Sequence, residues 1–77
     1  MDINMFIGQV SEQFDDLEGT VVEPTSKFRD LPSWCSIVAL SIISMIDEEY
    51  GVQLRGDDIR ASQTIQDIFD KVVAKKG

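Results

Sequence analysis

The opening segment of the chain repeats apolar residues at steps of three and four. This spacing is typical of one face of an amphipathic helix. Asp2 is placed to act as its N-cap, and Gly19 and Pro24 end regular structure further along. We therefore predict a first helix that reaches Leu17 and buries the residues Ile3, Phe6, Ile7, Val10, Phe14 and Leu17.

The most apolar run of the chain follows Ser36 and ends in the acidic stretch of residues 47–49. It predicts a second helix from Ser36 to Tyr50, which Gly51 ends in a left-handed conformation. Apolar residues occupy most of the circumference of this helix. We therefore expect one side to be buried and an apolar strip to remain exposed on the other side.

The C-terminal third predicts one short helix and one long helix. Asp57 or Asp58 is suited to cap the short one, which includes Ile59. Thr64 and Asp67 have the spacing of a capping box at the start of the last helix. Its apolar stripe consists of Ile65, Ile68, Phe69, Val72 and Val73.

A long connection of residues 18–35 joins the first two long helices. Loops of this length are uncommon unless they are functional or held by packing. Five apolar side chains are available to hold it against the helices: Val21, Val22, Phe28, Leu31 and Trp34. Because alternating strand patterns are weak, we predict an all-α fold of three long helices, one short helix and a long first loop.

The chain has 77 residues and a net charge of −7, which is unevenly distributed. Its first 50 residues carry ten acidic and two basic side chains. The other 27 residues carry four acidic and five basic side chains. The length predicts a single domain, 1–77, which we expect to be monomeric. An acidic surface attracts basic protein surfaces and repels nucleic acid.

Cellular location and membrane contact are predicted from local composition. One cysteine forms no internal disulfide, which favours a reducing compartment. The N-terminal residues lack the basic and apolar regions of a signal peptide. Ser41 and Ser44 interrupt an apolar run that is too short to cross a bilayer. We therefore expect a soluble cytoplasmic protein without membrane insertion.

Autonomous catalysis is not predicted, since the chain has no histidine and only one cysteine. Neither a serine–histidine nor a cysteine–histidine arrangement can form, and a structural zinc site lacks ligands. Asp47, Glu48 and Glu49 are consecutive, so they diverge around a helix and do not converge on one proton or metal.

Ser36 allows two interpretations. As an N-cap, its hydroxyl would accept a backbone N–H bond worth about 1 kcal/mol. Alternatively, the same oxygen could carry a phosphodiester, since free N–H groups and the helix dipole favour an anion at this position.

Four segments together distinguish these interpretations. They are residues 31–37, the Thr-x-x-Phe-x-x-Leu pattern of residues 25–31, the stretch of residues 48–52, and residues 64–67. In order and spacing they resemble the acyl carrier protein family over nearly the whole chain. The resemblance implies a single acyl-carrier-like domain in which Ser36 carries a 4′-phosphopantetheine arm.

The resemblance also implies a function and partners. The arm would hold an acyl or aminoacyl group as a thioester and deliver it to soluble enzymes, for example those of fatty acid biosynthesis. The implied partners are a phosphopantetheinyl transferase and acyl-loading and acyl-transfer enzymes with basic docking surfaces. The docking residues on helix two would be Ile37, Leu40, Asp47 and Glu48.

Cys35 departs from the family pattern, which has an aspartate before the serine. Three explanations are open: the transferase tolerates cysteine, the carrier is no longer modified, or Cys35 is a variant of an aspartate parent. For the side chain itself we expect a small, partly buried filler beneath Trp34. Ser33 is a second hydroxyl, three residues early in register. The alternative function is an unmodified protein-interaction module without an arm.

Overall fold

The computed structural model describes residues 2–76 and consists of four helices and one short 3-10 turn. The helices are α1 (Ile3–Ser11), α2 (Ser36–Tyr50), α3 (Gly56–Arg60) and α4 (Ile65–Lys76), and the 3-10 turn is Phe28–Asp30. No strand occurs in these residues, where a single antiparallel bridge joins Lys27 to Thr64. The all-α prediction, with one short helix and a long first loop, is confirmed.

Helix α1 begins as predicted but ends early. The Asp2 carboxylate accepts the Asn4 N–H at 2.9 Å, which is the expected N-cap bond. The helix stops at Ser11, not near Leu17, so the predicted length is wrong. The Ser11 hydroxyl donates to the Ile7 carbonyl at 2.7 Å, and such side-chain bonds compete with the regular backbone ladder.

The apolar period nevertheless continues past the end of α1. Backbone bonds from Gln13 to Val10 and from Phe14 to Ser11 keep the chain turning as it leaves the helix. Phe14 is therefore still buried and lies 6.1 Å, centroid to centroid, from the Trp34 ring. Phe6, Val10 and Phe14 are buried as predicted, whereas Ile3, Ile7 and Leu17 are only half-buried. The apolar period therefore overstated both the extent of burial and the length of the helix.

Helices α2 and α4 have the boundaries that their local signals predict. Gly51 ends α2 with a φ of 67°, and its N–H donates to the Asp47 carbonyl at 3.0 Å. At the start of α4, the Asp67 N–H donates to the Thr64 hydroxyl while the Thr64 N–H donates to the Asp67 carboxylate, both at 3.1 Å. The predicted capping box is thus formed in both directions.

Helix α3 is held at its two ends by different residues. Asp58 accepts the Arg55 N–H at 2.9 Å from within the helix, so neither Asp57 nor Asp58 is the N-cap. At the other end, the Arg29 guanidinium donates to the carbonyls of Ser62 and Ile59 at 2.7 and 2.8 Å. These bonds satisfy carbonyls that a helix end leaves free.

The long loop is pinned mostly as expected. Phe28 and Leu31 are buried, and Val22 and Trp34 pack against the core. Val21 is 76% exposed, so its predicted anchoring role is wrong. Backbone bonds add a further tie, because the Ile65 N–H donates to Ser26 and the Gln66 N–H donates to Pro24.

The helices and the loop enclose one hydrophobic cluster. It consists of Phe6, Val10, Phe14, Phe28, Leu31, Val38, Ile42, Met45, Ile46, Val52, Leu54, Ile59, Ile65, Ile68 and Val72. Helix α2 contributes four of these side chains and contacts each of the other three helices. Across residues 2–76, none of the helices has the length and hydropathy that crossing a bilayer would require.

Candidate functional site

Ser36 is the first helical residue of α2, and Cys35 precedes it as the N-cap in an extended conformation. No side chain caps this helix. The interpretation of Ser36 as an N-cap is therefore wrong. Its hydroxyl is exposed, and it has no hydrogen-bond partner among the residues that the structure describes.

The loop before α2 is fixed by the other candidate hydroxyl. Ser33 has a φ of 71°, in the left-handed region that non-glycine residues seldom adopt. Its hydroxyl accepts the Asp16 N–H at 3.1 Å and donates to the Asp16 carbonyl at 2.7 Å. The Ser33 hydroxyl thus bonds two loop segments to each other, whereas the Ser36 hydroxyl bonds to no described residue.

Cys35 is exposed, so the expectation of a partly buried filler beneath Trp34 is wrong. Trp34 packs on aromatic neighbours instead, with its ring 4.9 Å from that of Phe28. The thiol side chain is therefore accessible to a protein that approaches Ser36. An aspartate at this position would also be accessible, since nothing encloses the side chain.

A hollow of about 380 Å³ opens beside Ser36, between α2 and α3. Its walls are mainly apolar and include Trp34, Leu40 and Ile43, while Arg29 and Arg60 lie at the same opening. Among the residues that line it, no carboxylate is present. The surroundings of the Ser36 hydroxyl are therefore apolar with two nearby cations, although Asp57 pairs with Arg60.

The outer surface of α2 carries exposed apolar side chains. Ile37 is 73% exposed and Leu40 is 62% exposed, as the sequence pattern predicted. Together with Glu48 they line a groove of about 390 Å³ between α2 and α1, called here the α1–α2 groove. Three of the four predicted docking residues are therefore brought together on one surface.

Asp47, the fourth predicted docking residue, lies on the opposite flank of the exposed strip. It lines a separate hollow of about 200 Å³ with Ile43, Gln53 and Arg55. Ser44 borders both depressions. Asp47 and Glu48 are thus both exposed, but they face different grooves.

Helix α1 supplies the wall of the α1–α2 groove that the sequence prediction missed. Gln9 lies on this wall within α1, and Glu12 and Gln13 continue it in the turn that follows the helix. Their spacing of i, i+3 and i+4 extends the helical period outside the apolar positions, and this polar stripe was the available signal. The resemblance to acyl carrier proteins implied docking residues on α2 alone.

A hydrogen-bond network joins the two walls of the groove at one end. The Tyr50 hydroxyl donates to the Gln9 side-chain carbonyl, and the Gln9 amide donates to the Glu49 carboxylate at 3.5 Å. Partial burial, with the nearby charges of Glu49 and Asp2, raises the pKa of Tyr50 above its ordinary value. Tyr50 therefore remains a hydrogen-bond donor at neutral pH.

No protein-family model, curated protein or solved structure matches this chain. Among residues 2–76, two features of the chain itself point to a function. They are an exposed serine hydroxyl without an internal partner at the start of the longest helix, and exposed apolar side chains beside carboxylates on the same helix.

Proposed function

We propose that this protein is an acyl carrier that is modified with 4′-phosphopantetheine on Ser36. The observation that carries the proposal is the state of the Ser36 hydroxyl, which begins α2, is exposed and makes no internal hydrogen bond. A hydroxyl with a structural role would be occupied, as that of Ser33 is. Modification of Ser36 would therefore disturb no interaction that holds the fold.

The surroundings of Ser36 suit a phosphodiester. The first N–H groups of a helix have no intrahelical acceptor and favour an anion, which the helix dipole also stabilises. Arg29 and Arg60 lie at the adjacent hollow. When bound, the arm supplies a thiol on which an acyl or aminoacyl group is held as a thioester, and the protein supplies its position and delivery.

Docking of the partner enzymes is assigned to the exposed strip of α2. Ile37 and Leu40 offer apolar contact area, and Glu48 and Asp47 offer charge for a basic surface. Exposed ion pairs contribute only about 0.2–1 kcal/mol each and are screened by salt. Their main effect is on the association rate, which suits a carrier that must release one enzyme before it meets the next.

In this proposal the protein acts in the cytoplasm as a monomeric, non-catalytic carrier. Its partners are a phosphopantetheinyl transferase and soluble acyl-loading and acyl-transfer enzymes, as in fatty acid biosynthesis or related lipid metabolism. The chain's own residues orient the attachment point and the docking surface. The partners supply the catalytic groups, since the chain has no histidine and one cysteine.

A second candidate, an unmodified interaction module, is favoured by one observation. Cys35 occupies the exposed position before Ser36, and no carboxylate lines the hollow beside Ser36 to replace the family's aspartate. A transferase that needs this carboxylate would not act on the chain. The exposed strip of α2 would then bind partners without an arm.

Intact mass distinguishes the two candidates. The unmodified protein is incubated with coenzyme A, magnesium and a broad-specificity transferase, and we expect it to gain the mass of one 4′-phosphopantetheine group. Ser36→Ala should gain none. Thr20→Ala is the control, since it removes an exposed hydroxyl that lies outside the docking strip, and it should be modified like the parent. A folded parent protein that stays unmodified would support the interaction module.

A further inference from the structure

We infer that Ser33 is a positioning residue for Ser36, which acts by bonding the loop before α2 to the backbone of Asp16. Its hydroxyl accepts the Asp16 N–H at 3.1 Å and donates to the Asp16 carbonyl at 2.7 Å, and this pair of bonds is called here the Ser33–Asp16 clamp. The inference deepens the proposed function, because it names the contact that presents the modified residue. It rests on that function for the effect on modification, whereas the order of the loop needs no arm.

Helix α2 requires such a contact because no described side chain caps its start. In α1, α3 and α4, a side-chain oxygen accepts a backbone N–H at the helix start. Cys35 is the N-cap of α2, and its side chain makes no such bond. A helix start without a cap loses order more easily. The clamp lies two positions before Cys35, so it restrains the chain where a cap is missing.

The backbone at Ser33 has a conformation that serine seldom adopts. Its φ of 71° lies in the left-handed region, which is unfavourable for most residues with a Cβ atom. Such conformations persist where the surrounding structure fixes them. The two bonds to Asp16 are a constraint of this kind, and they join residues 17 positions apart.

The Asp16 end of the clamp is itself ordered. The Asp16 carboxylate accepts the Glu18 N–H at 2.8 Å, and the Thr20 N–H donates to the Leu17 carbonyl at 2.8 Å. Leu17 packs against the hydrophobic cluster. The Ser33 hydroxyl therefore bonds to a turn that is connected to the core.

The segment that contains Ser36 is restrained on both sides. Before it, Trp34 packs on Phe28, with ring centroids 4.9 Å apart. After it, Val38 is buried. The three residues between them, 35–37, are exposed, and Ser36 is the middle one. The Ser36 hydroxyl is therefore accessible, although the backbone that carries it is held at both ends.

Fixed presentation of this hydroxyl affects the transfer reaction. The Ser36 oxygen bonds to a phosphorus atom of coenzyme A while the bond from that phosphorus to the departing adenosine bisphosphate breaks, and the hydroxyl proton passes to a base of the transferase. The attacking and leaving oxygens must be roughly in line. Because such orientation contributes much of an enzyme's rate, a loop that samples many conformations is modified more slowly at low carrier concentration.

The first test is amide hydrogen exchange of the unmodified protein, followed by NMR. Ser33→Ala removes both bonds of the clamp. We expect exchange at the Asp16 and Trp34 amides to accelerate about threefold to tenfold more than at Ile46 in the middle of α2, which is the factor that a typical hydrogen bond contributes. Ser26→Ala is the matched control, because it removes another loop hydroxyl, which accepts the Glu23 N–H at 2.8 Å. It should leave exchange at Asp16 and Trp34 unchanged.

Ser33→Gly separates the hydroxyl from the backbone conformation. Glycine adopts positive φ without a steric penalty, so this variant relieves the strain while it removes the clamp. We expect its Asp16 and Trp34 amides to exchange faster than those of the parent, as in Ser33→Ala. Exchange at the parent rate in Ser33→Gly would show that the backbone conformation alone orders the loop, and it would contradict the inference.

The second test measures the modification of the same variants with coenzyme A, magnesium and the transferase. When only part of the carrier population presents Ser36 correctly, the apparent affinity falls by that fraction. We therefore expect both Ser33 variants to raise KM about twofold to tenfold with kcat nearly unchanged, and Ser26→Ala to keep the parent values. An unchanged KM in variants whose loop exchanges faster would contradict the positioning role.

The exchange test also has outcomes that overturn the inference. Unchanged exchange at Asp16 and Trp34 in Ser33→Ala would mean that the clamp does not order the loop. Equal acceleration at Ile46 would mean that Ser33 contributes only to general stability. A parent protein that gains no arm would instead refute the proposed function, and the exchange test does not depend on that result. The two failures are therefore distinguishable.

Discussion

Replacing Leu40 by aspartate should separate docking from folding. Complete burial of a leucine contributes about 1.5–3 kcal/mol, and Leu40 is 62% exposed. Roughly 0.6–1.1 kcal/mol of burial is therefore lost, and the lower helix propensity of aspartate adds roughly 0.5 kcal/mol. We expect the free energy of unfolding to fall by about 1–1.5 kcal/mol, which leaves a small domain folded.

Urea unfolding followed by Trp34 fluorescence and far-UV circular dichroism measures this change. Ile42→Ala is the buried reference on the same helix, because Ile42 is fully buried and its truncation should cost about 2–5 kcal/mol. The rate at which the transferase modifies Ser36 is then measured at sub-saturating carrier. We expect Leu40→Asp to slow modification about tenfold, since it puts a charge at the centre of an apolar contact.

Val73→Asp provides the matched control for the rate. Val73 is also an exposed apolar residue, but it lies on α4, so its replacement should leave the modification rate unchanged. The reasoning is refuted if Leu40→Asp destabilises the protein as much as Ile42→Ala does, because Leu40 would then face the core. It is also refuted if a folded Leu40→Asp variant is modified at the parent rate.

Three further predictions concern charge. Because Cys35 is exposed, Cys35→Asp should raise the modification rate at sub-saturating carrier without changing the fold, and equal rates would mean that the transferase does not need a carboxylate there. Glu48→Lys should slow transfer about two- to tenfold through the association rate, and added salt should slow the parent in the same way; a salt-independent rate would contradict this. The Gln63 and Thr64 N–H groups lower the pKa of Asp67 below its ordinary value. Asp67 therefore stabilises the fold above its unfolded-state pKa, and this stability is lost as the pH falls through the folded-state pKa. Asp67→Asn should be less stable than the parent at pH 7, and the difference should disappear at low pH in urea unfolding curves; a difference that is constant with pH would contradict the assignment.

Local sequence signals were sufficient for the long helices after the loop. The Gly51 N–H bonds to the Asp47 carbonyl, and Thr64 and Asp67 bond to each other. The partners in these bonds are at most four positions apart. Such signals depend on short-range geometry and can be recognised without a tertiary structure. The bounds of α2 and the start of α4 were therefore predicted correctly.

The features that were not predicted from the sequence include bonds between residues that are distant in the chain. Ser33 ties Asp16 to the loop before α2, and Arg29 caps the distant end of α3. These partners are 17 and 33 residues apart, so no local pattern indicates them. The packing of the long loop depends on contacts of this kind, whereas the early end of α1 coincides with the local bond from the Ser11 hydroxyl to the Ile7 carbonyl.

The place of Ser36 in the fold was predicted, but the arrangement around it was not. Ser36 does begin α2, yet Cys35 takes the N-cap position and is exposed. The exposure of Ile37 and Leu40 followed from the apolar circumference of α2. The contribution of Glu12 did not follow, because it depends on which face of α1 lies beside α2.

Peptide mapping locates the arm and thereby tests its proposed attachment to Ser36. The protein is treated with coenzyme A, magnesium and the transferase, digested, and the fragments are sequenced by mass spectrometry. We expect the mass of one 4′-phosphopantetheine group on Ser36 and no added mass on Ser33. A folded protein with no added mass, or with the mass on Ser33 or any other residue, would contradict it.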